Sequence, residues 1–285
     1  MRIGVTSDIH TDISPANSQI ISHLVNAINS AELDVFVICG DVSPSISKFY
    51  DTLSAFRDLN CKKLFIAGNH DIWILNQSDN INSSQKYSLI TRFCEEHGFH
   101  HLSDSPIIFE SIGFCGTIGW YDYSFKSHIF KISDRVYTKK TFHGSVWNDV
   151  NFARWNATDT EIAWQFEHDL QKQIDSIRDR VSRIIVVTHH VPFRECVVYR
   201  DELTWDFFSA FMGSAGLGEI CLKEPLVTHA LFGHTHAEFN KEIKAQDSSG
   251  LTQKVLAICS PIGYLTEPPK DLKEYAKNRL KIIEL

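Results

Sequence analysis

Five short apolar runs, each stopping at an Asp, Asn or His, constrain this fold more than any other feature of the sequence. Arg2–Thr6 leads into Ser7-Asp8-Ile9-His10, and Val35–Cys39 leads into Gly40-Asp41. Lys63–Ala67 leads into Gly68-Asn69-His70-Asp71. Ile184–Thr188 closes on His189-His190, and Ala230–Phe232 closes on Gly233-His234-Thr235-His236. Runs of this length, bounded by glycine and polar residues, read as buried strands. Helical spacing fills the gaps between the first three. Gln19–Ser30 carries Ile20, Ile21, Leu24, Val25 and Ile28, and Ser47–Leu59 is similarly amphipathic. Strands alternating with helices imply crossover connections and a partly parallel sheet. The carboxyl ends of such strands line one crevice, where ligands bind.

Further along, a helix is expected around Tyr87–His97, with neighbouring strands at Ile107–Phe109 and Gly113–Gly116. Thr158–Val181 is the clearest helix. Thr158 and Glu161 form a capping-box pattern, and Ile162, Phe166, Leu170, Ile174, Ile177 and Val181 make one apolar stripe. Strands at Lys254–Ile258 and Leu280–Ile283 complete the pattern. Residues 120–157 differ from the rest. They are dense in aromatics and lack periodicity, which marks a long irregular excursion and a candidate lid. No repeat or linker interrupts the chain, so 1–285 reads as one domain.

The 43% of hydrophobic residues can form a sizeable core, and the net charge of −7 disfavours nucleic acid as a partner. No run is long enough to span a bilayer. The N-terminal residues lack a basic segment followed by an apolar stretch, so no signal peptide is expected. Seven cysteines without a CxxC pair point to reduced thiols and a cytoplasmic location.

The motif residues are metal-ligand types. Hard divalent cations take carboxylate and amide oxygens, and borderline metals also take neutral imidazole. Asp8 and His10 stand two apart, as do His234 and His236, so each pair can point the same way from extended backbone. With Asp41, Asn69 and His189 they make seven ligands. If Asp41 bridges, each of two metals receives four. Each fragment alone has a plainer explanation, such as a turn at Gly68-Asn69 or a capping histidine at position 10. Their joint placement at strand ends is what favours a site.

The order DxH, GD, GNHD, H, GHTH resembles the calcineurin-like metallophosphoesterase family. The resemblance implies an α/β, four-layer α/β/β/α sandwich with two mixed β-sheets and a dinuclear site at one edge. It implies that Asp8, His10, Asp41 and His236 hold one metal, and that Asp41, Asn69, His189 and His234 hold the other. Mn²⁺ is the first expectation for both ions, with Fe or Zn²⁺ as alternatives. It implies a metal-bridging hydroxide as nucleophile, His70 near the phosphate and leaving group, and Asp71 orienting His70 or capping the following loop. Asn69 can also touch phosphate. His190 is expected either to face substrate or to pack locally.

Trp120 and Tyr121 are the expected substrate contacts within the aromatic segment, because they follow a strand-like run. Tyr123, Trp147 and Trp155 are further candidates. His143 and Arg154 read better as solvated surface than as phosphate contacts. The leading function is hydrolysis of a small phosphorylated metabolite or nucleotide. The alternatives are a phosphodiesterase or nuclease, which would want a basic stripe, and a non-catalytic binding protein, which should have lost ligands. A protein Ser/Thr phosphatase fits less well, because Asp71 is followed by Ile72-Trp73.

Overall fold

A computed structural model describes residues 1–285 except 77, 79 and 247–251. The strands are β1 (Arg2–Thr6), β2 (Val35–Cys39), β3 (Lys62–Ile66), β4 (Phe99–His101), β5 (Ile107–Phe109) and β6 (Ile112–Thr117). A small hairpin of β7 (Thr141–Phe142) and β8 (Ser145–Val146) follows, then β9 (Arg183–Thr188) and β10 (Val227–Phe232). The last are β11 (Phe239–Gln246), β12 (Thr252–Cys259) and β13 (Lys281–Glu284).

Two large mixed sheets result. The first runs β13-β1-β2-β3-β4, with β1 to β4 parallel and β13 antiparallel on the edge. The second runs β11-β12-β10-β9-β6-β5, parallel in the middle with an antiparallel strand at each edge. Period-two alternation assigns their faces. In β2, Val35, Val37 and Cys39 pack between the sheets, while Phe36 and Ile38 face helices. In β9, Ile185 and Val187 face inward, while Ile184 and Val186 face the other helical layer. Strands buried on both faces become continuous apolar runs, as VFVIC is. The layers are therefore α/β/β/α, as the sequence resemblance implies.

The helices start and stop where local chemistry dictates. The first spans Pro15–Ala31, four residues ahead of the expected start. The Ser14 side chain caps the Asn17 N–H, and Pro15 occupies the first turn, where its missing N–H costs nothing. The second is Ile46–Ala55, and the third is Ser83–Glu96 behind a capping box of Asn82 and Gln85. The long helix is Asp159–Ile177, with the expected Thr158–Glu161 capping box. It tightens into a 3₁₀ turn at Arg178–Arg180 before reaching Val181. Leu170, Ile174 and Ile177 of its stripe are buried against the second sheet, each worth roughly 1.5–3 kcal/mol of transfer free energy. The helices Leu203–Phe208, Ala215–Lys223 and Leu272–Asn278 add elements the periodicity did not announce.

Residues 120–157 are irregular apart from two short helices and the β7–β8 hairpin. They are not loosely draped, because Trp120, Tyr121 and Tyr137 are fully buried. Among the described residues no helix is long and apolar enough to cross a membrane.

Candidate active site

The strand-end loops interlock at one edge of the sandwich. The Asp8 N–H donates to the Gly40 carbonyl (2.9 Å), and the His10 N–H to the Asp41 carbonyl (3.0 Å). The Gly233 N–H donates to the His189 carbonyl (3.0 Å) within the second sheet, and the His234 N–H donates to Asp8 Oδ1 (2.9 Å), which joins the two sheets at this edge. Asp8, His10, Asp41, His234 and His236 all adopt positive φ, between 50° and 70°. That conformation is uncommon for non-glycine residues and concentrates where structure over-determines it for function. Gly68 permits the closest approach. A Cβ there would stand 2.1 Å from Asp41 Oδ1 and 2.5 Å from the Asp41 nitrogen.

All seven expected ligands meet there. His10 Nε2 lies 3.0 Å from His236 Nε2 and 3.6 Å from Asp41 Oδ2. His236 Nε2 lies 3.4 Å from Asp8 Oδ1. On the other side of Asp41, His189 Nε2 lies 3.4 Å from the same Oδ2 and 3.0 Å from Asn69 Oδ1. His234 Nδ1 lies 3.1 Å from both His189 Nε2 and Asn69 Oδ1. Two cation-capable groups thus share Asp41. Ligand atoms about 2.1 Å from an ion stand about 3.0–3.4 Å apart at octahedral to tetrahedral angles, the spacing seen here.

The orientation of the donors strengthens the fit. The second nitrogen of His189, Nδ1, faces the Cys39 carbonyl at 2.9 Å, and that of His234, Nε2, faces the Phe211 carbonyl at 3.2 Å. Those carbonyls demand N–H donors, so the opposite lone pairs point into the cluster. Asn69 donates its Nδ2 to Asp149 Oδ1 (2.9 Å), which turns its Oδ1 inward. A lone pair and a carbonyl oxygen at 3.1 Å with no proton between them require a positive charge. Without a metal, the proton on His189 Nε2, which lies within 3.1 Å of both atoms, supplies it, because burial and the neighbouring imidazoles hold His234 well below the ordinary histidine range. Burial opposes the charged form of His189, but the Asp41 and Asp8 carboxylates outweigh burial and hold it up at about 9. Burial would likewise raise Asp41, yet the surrounding His189, His70 and His10 keep it well below the usual carboxylate range.

His70 stands beside the cluster. Its N–H donates to Asp41 Oδ1 (2.9 Å), and its ring stacks on Trp73 with centroids 3.6 Å apart. Burial pushes its pKa down, partly opposed by Asp41. The expectation that Asp71 orients His70 is corrected. Both Asp71 oxygens are occupied by the backbone N–H groups of Asp41, Val42, Ser43 and Gly68, at 2.8–2.9 Å. Burial and the Asp41 charge push the Asp71 carboxyl up to about 7, against the pull of those donors. Asp71 is the staple of the Asp41 loop.

A cavity of about 620 Å³ opens onto the cluster through Asp41, Asn69, His70, His234 and His236. Trp120 and Tyr121 are not on its wall, contrary to their expected role. Both are fully buried, with Trp120 Nε1 donating to Asp159 Oδ1 (2.8 Å) and the Tyr121 hydroxyl to Asp149 Oδ2 (3.0 Å). His190 packs locally rather than toward substrate, fully buried with Nδ1 3.1 Å from the Ile118 carbonyl. Tyr123 and Trp155 also lie off the wall, as do exposed His143 and half-buried Arg154, which donates to the Asn76 carbonyl at 3.1 Å. Of the aromatic segment, Trp147 reaches the cavity, flanked by Val146 and Asn148.

Comparison with known proteins agrees with this geometry. The model of the calcineurin-like phosphoesterase family matches residues 1–238. The chain belongs to the calcineurin-like phosphoesterase family. It is a metal-dependent phosphoester hydrolase by that membership. Among solved structures it is similar to phosphopantetheinyl hydrolase from Mycobacterium tuberculosis, at 17% identity and a TM-score of 0.70, over 99% of this chain and 95% of that one. It is also similar to GAP50, the anchor in the inner membrane complex of Plasmodium, at 12% identity and a TM-score of 0.41, over 91% and 71% of the two chains. The first of these likenesses shows a shared fold. No curated protein matches the sequence.

Two residues of this phosphoesterase escaped the sequence reading. Tyr264 lies with its ring 4.6 Å from both His10 and His236, and its hydroxyl 3.4 Å from His70 Nε2. Asp149 is fully buried and accepts four side-chain donors. Asn69 Nδ2 and Trp73 Nε1 (2.6 Å) meet Oδ1, while Trp147 Nε1 (2.7 Å) and the Tyr121 hydroxyl meet Oδ2. One carboxylate thus fixes the Asn69 amide, the indole under His70 and a cavity wall. The lone sequence signal was an acid surrounded by aromatic residues.

Proposed function

We propose that this phosphoesterase uses a dinuclear centre to hydrolyse a small phosphate ester. Asp8, His10, Asp41 and His236 hold one ion, and Asp41, Asn69, His189 and His234 hold the other. When bound, the two ions would supply Lewis-acid charge for the phosphoryl oxygens and lower the pKa of water bound to them. Mn²⁺ suits the mixed oxygen and nitrogen donors, as do Fe and Zn²⁺. The observation that carries this reading is the convergence of ligand-capable atoms on both sides of Asp41 Oδ2.

The protein's own groups do the rest. Asn69 fixes one ligand oxygen through its bond to Asp149 and lies at the cavity floor, where phosphate arrives. His70, held by Asp41 below and Trp73 beside it, presents its ring to the cavity and donates a proton or hydrogen bond to the departing oxygen. Asp71 keeps the Asp41 loop in shape. Residues 1–285 act as one unit, since β13 near the C-terminus pairs with β1, which carries Asp8. Seven unpaired cysteines support a reducing compartment such as the cytoplasm.

A panel of phosphate monoesters and diesters assayed with defined Mn²⁺ tests the reading. Turnover by the wild type, with metal content and turnover both lost in His234→Ala, is expected. A His234→Ala variant that keeps wild-type turnover refutes the ligand assignment.

A further inference from the structure

Resting on the phosphoesterase reading, we propose that the cavity selects esters whose organic group is uncharged and largely apolar, with the reacting phosphate as their only anion. The metal-capable cluster forms one end of the cavity. The remaining wall is dominated by Trp73, Trp147, Val198, Trp205, Phe208 and Met212. Among the described residues none on the wall is Lys or Arg, so nothing there grips a second phosphate. Arg200, nearby in sequence, is off the wall with its guanidinium 3.4 Å from the Trp205 ring centroid.

The three wall indoles offer the cavity ring surface and no donors. Trp73 Nε1 and Trp147 Nε1 both donate to buried Asp149, and Trp205 Nε1 donates to the Val198 carbonyl at 2.8 Å. The polar edges of these indoles are therefore turned away from a ligand, and outside the cluster and Tyr264 the polar residues on the wall are Asn148, Ser209 and Thr235. These rings are also held in place before any ligand arrives. Trp147 stacks on Phe211 with planes 13° apart, and Trp73 stacks on His70. The rim continues the same character. Ile13, Val146 and Trp205 line the cavity and are 37–40% exposed, so its exposed lining includes large apolar side chains.

The test is a homologous series of n-alkyl phosphates, whose leaving groups have nearly equal reactivity. Each buried methylene should raise kcat/KM about fourfold, so hexyl phosphate should exceed methyl phosphate by at least about 100-fold. Hexyl phosphate should also exceed nucleoside 5′-diphosphates. Trp205→Ala should cut the hexyl-to-methyl ratio at least about tenfold, at unchanged Mn²⁺ content, by removing a ring from the wall. A flat series, a preference for the diphosphate, or a ratio indifferent to Trp205→Ala overturns the proposal while leaving the hydrolase reading intact. If no ester is turned over, the hydrolase reading fails and binding decides the pocket. Quenching of tryptophan fluorescence in Mn²⁺-loaded protein should then show hexylphosphonate binding at least about tenfold more tightly than methylphosphonate, and equal binding overturns it.

Discussion

Replacing Asp149 by asparagine separates the support of the site from the site itself. Asparagine keeps one acceptor oxygen and places an amine where the other oxygen was. The Tyr121 hydroxyl can turn to accept from that amine, but Trp73 and Trp147 can only donate. The amide oxygen is therefore expected to stay on Asn69 and Trp73, because the reverse orientation strands Trp73 and rotates the Asn69 amide. Trp147 loses its acceptor. One orphaned, partly buried donor costs about 1 kcal/mol, and three bonds to a charged acceptor each weaken by about 1 kcal/mol. Relief from burying a charge offsets part of this, leaving about 3 kcal/mol. At about 2 °C per kcal/mol for a chain of this size, the metal-free melting temperature should fall by about 6 °C. Mn²⁺ affinity should fall about tenfold, because the hydrogen bond that fixes Asn69 has weakened. Equilibrium dialysis with metal analysis reads this, and Asp159→Asn is the control. Asp159 accepts from Trp120 and Tyr123 and pairs with Lys140 in the same aromatic segment, without touching Asn69. Asp149→Asn with wild-type Mn²⁺ affinity, or an equal loss in Asp159→Asn, refutes the reasoning.

Two further outcomes follow from the same geometry. His70→Ala should retain both metals and lower kcat by about 10²–10⁴ for alkyl phosphates, with a smaller loss for p-nitrophenyl phosphate, whose leaving group needs little help. Equal losses for both esters would remove the leaving-group role. Metal ligands must be unprotonated, and His189 in the metal-free site is held at about 9, so uptake of Mn²⁺ below that pH displaces a proton. Affinity should rise with pH toward about 9, and calorimetry at pH 7 in buffers of different ionisation enthalpy should show net proton release. Binding without proton release contradicts the His189 assignment.

The ligand set was legible because the chemistry admits few residue types and the strands deliver them in a fixed order. Asp8 and His10, or His234 and His236, declare themselves within one motif. What stayed hidden depends on which loops the two sheets bring together. Asp71 looked like the partner of its neighbour His70, but its four donors come from residues 41–43 and 68 on two strand ends. Asp149 gathers donors from positions 69, 73, 121 and 147, a convergence no local pattern records. Trp120 and Trp147 are equally aromatic, and packing alone sends one into the core and the other to the cavity. Among the elements, β11 reads FNKEIKAQ and lies at a sheet edge, where Asn240, Lys241, Glu242 and Lys244 are exposed and the apolar signal is diluted.

Anomalous diffraction from crystals grown with Mn²⁺ tests the dinuclear centre most directly. Two peaks about 3.5–4 Å apart should straddle Asp41 Oδ2, one reached by Asp8, His10 and His236, the other by Asn69, His189 and His234. A single peak, or ions bound away from Asp41, would contradict it.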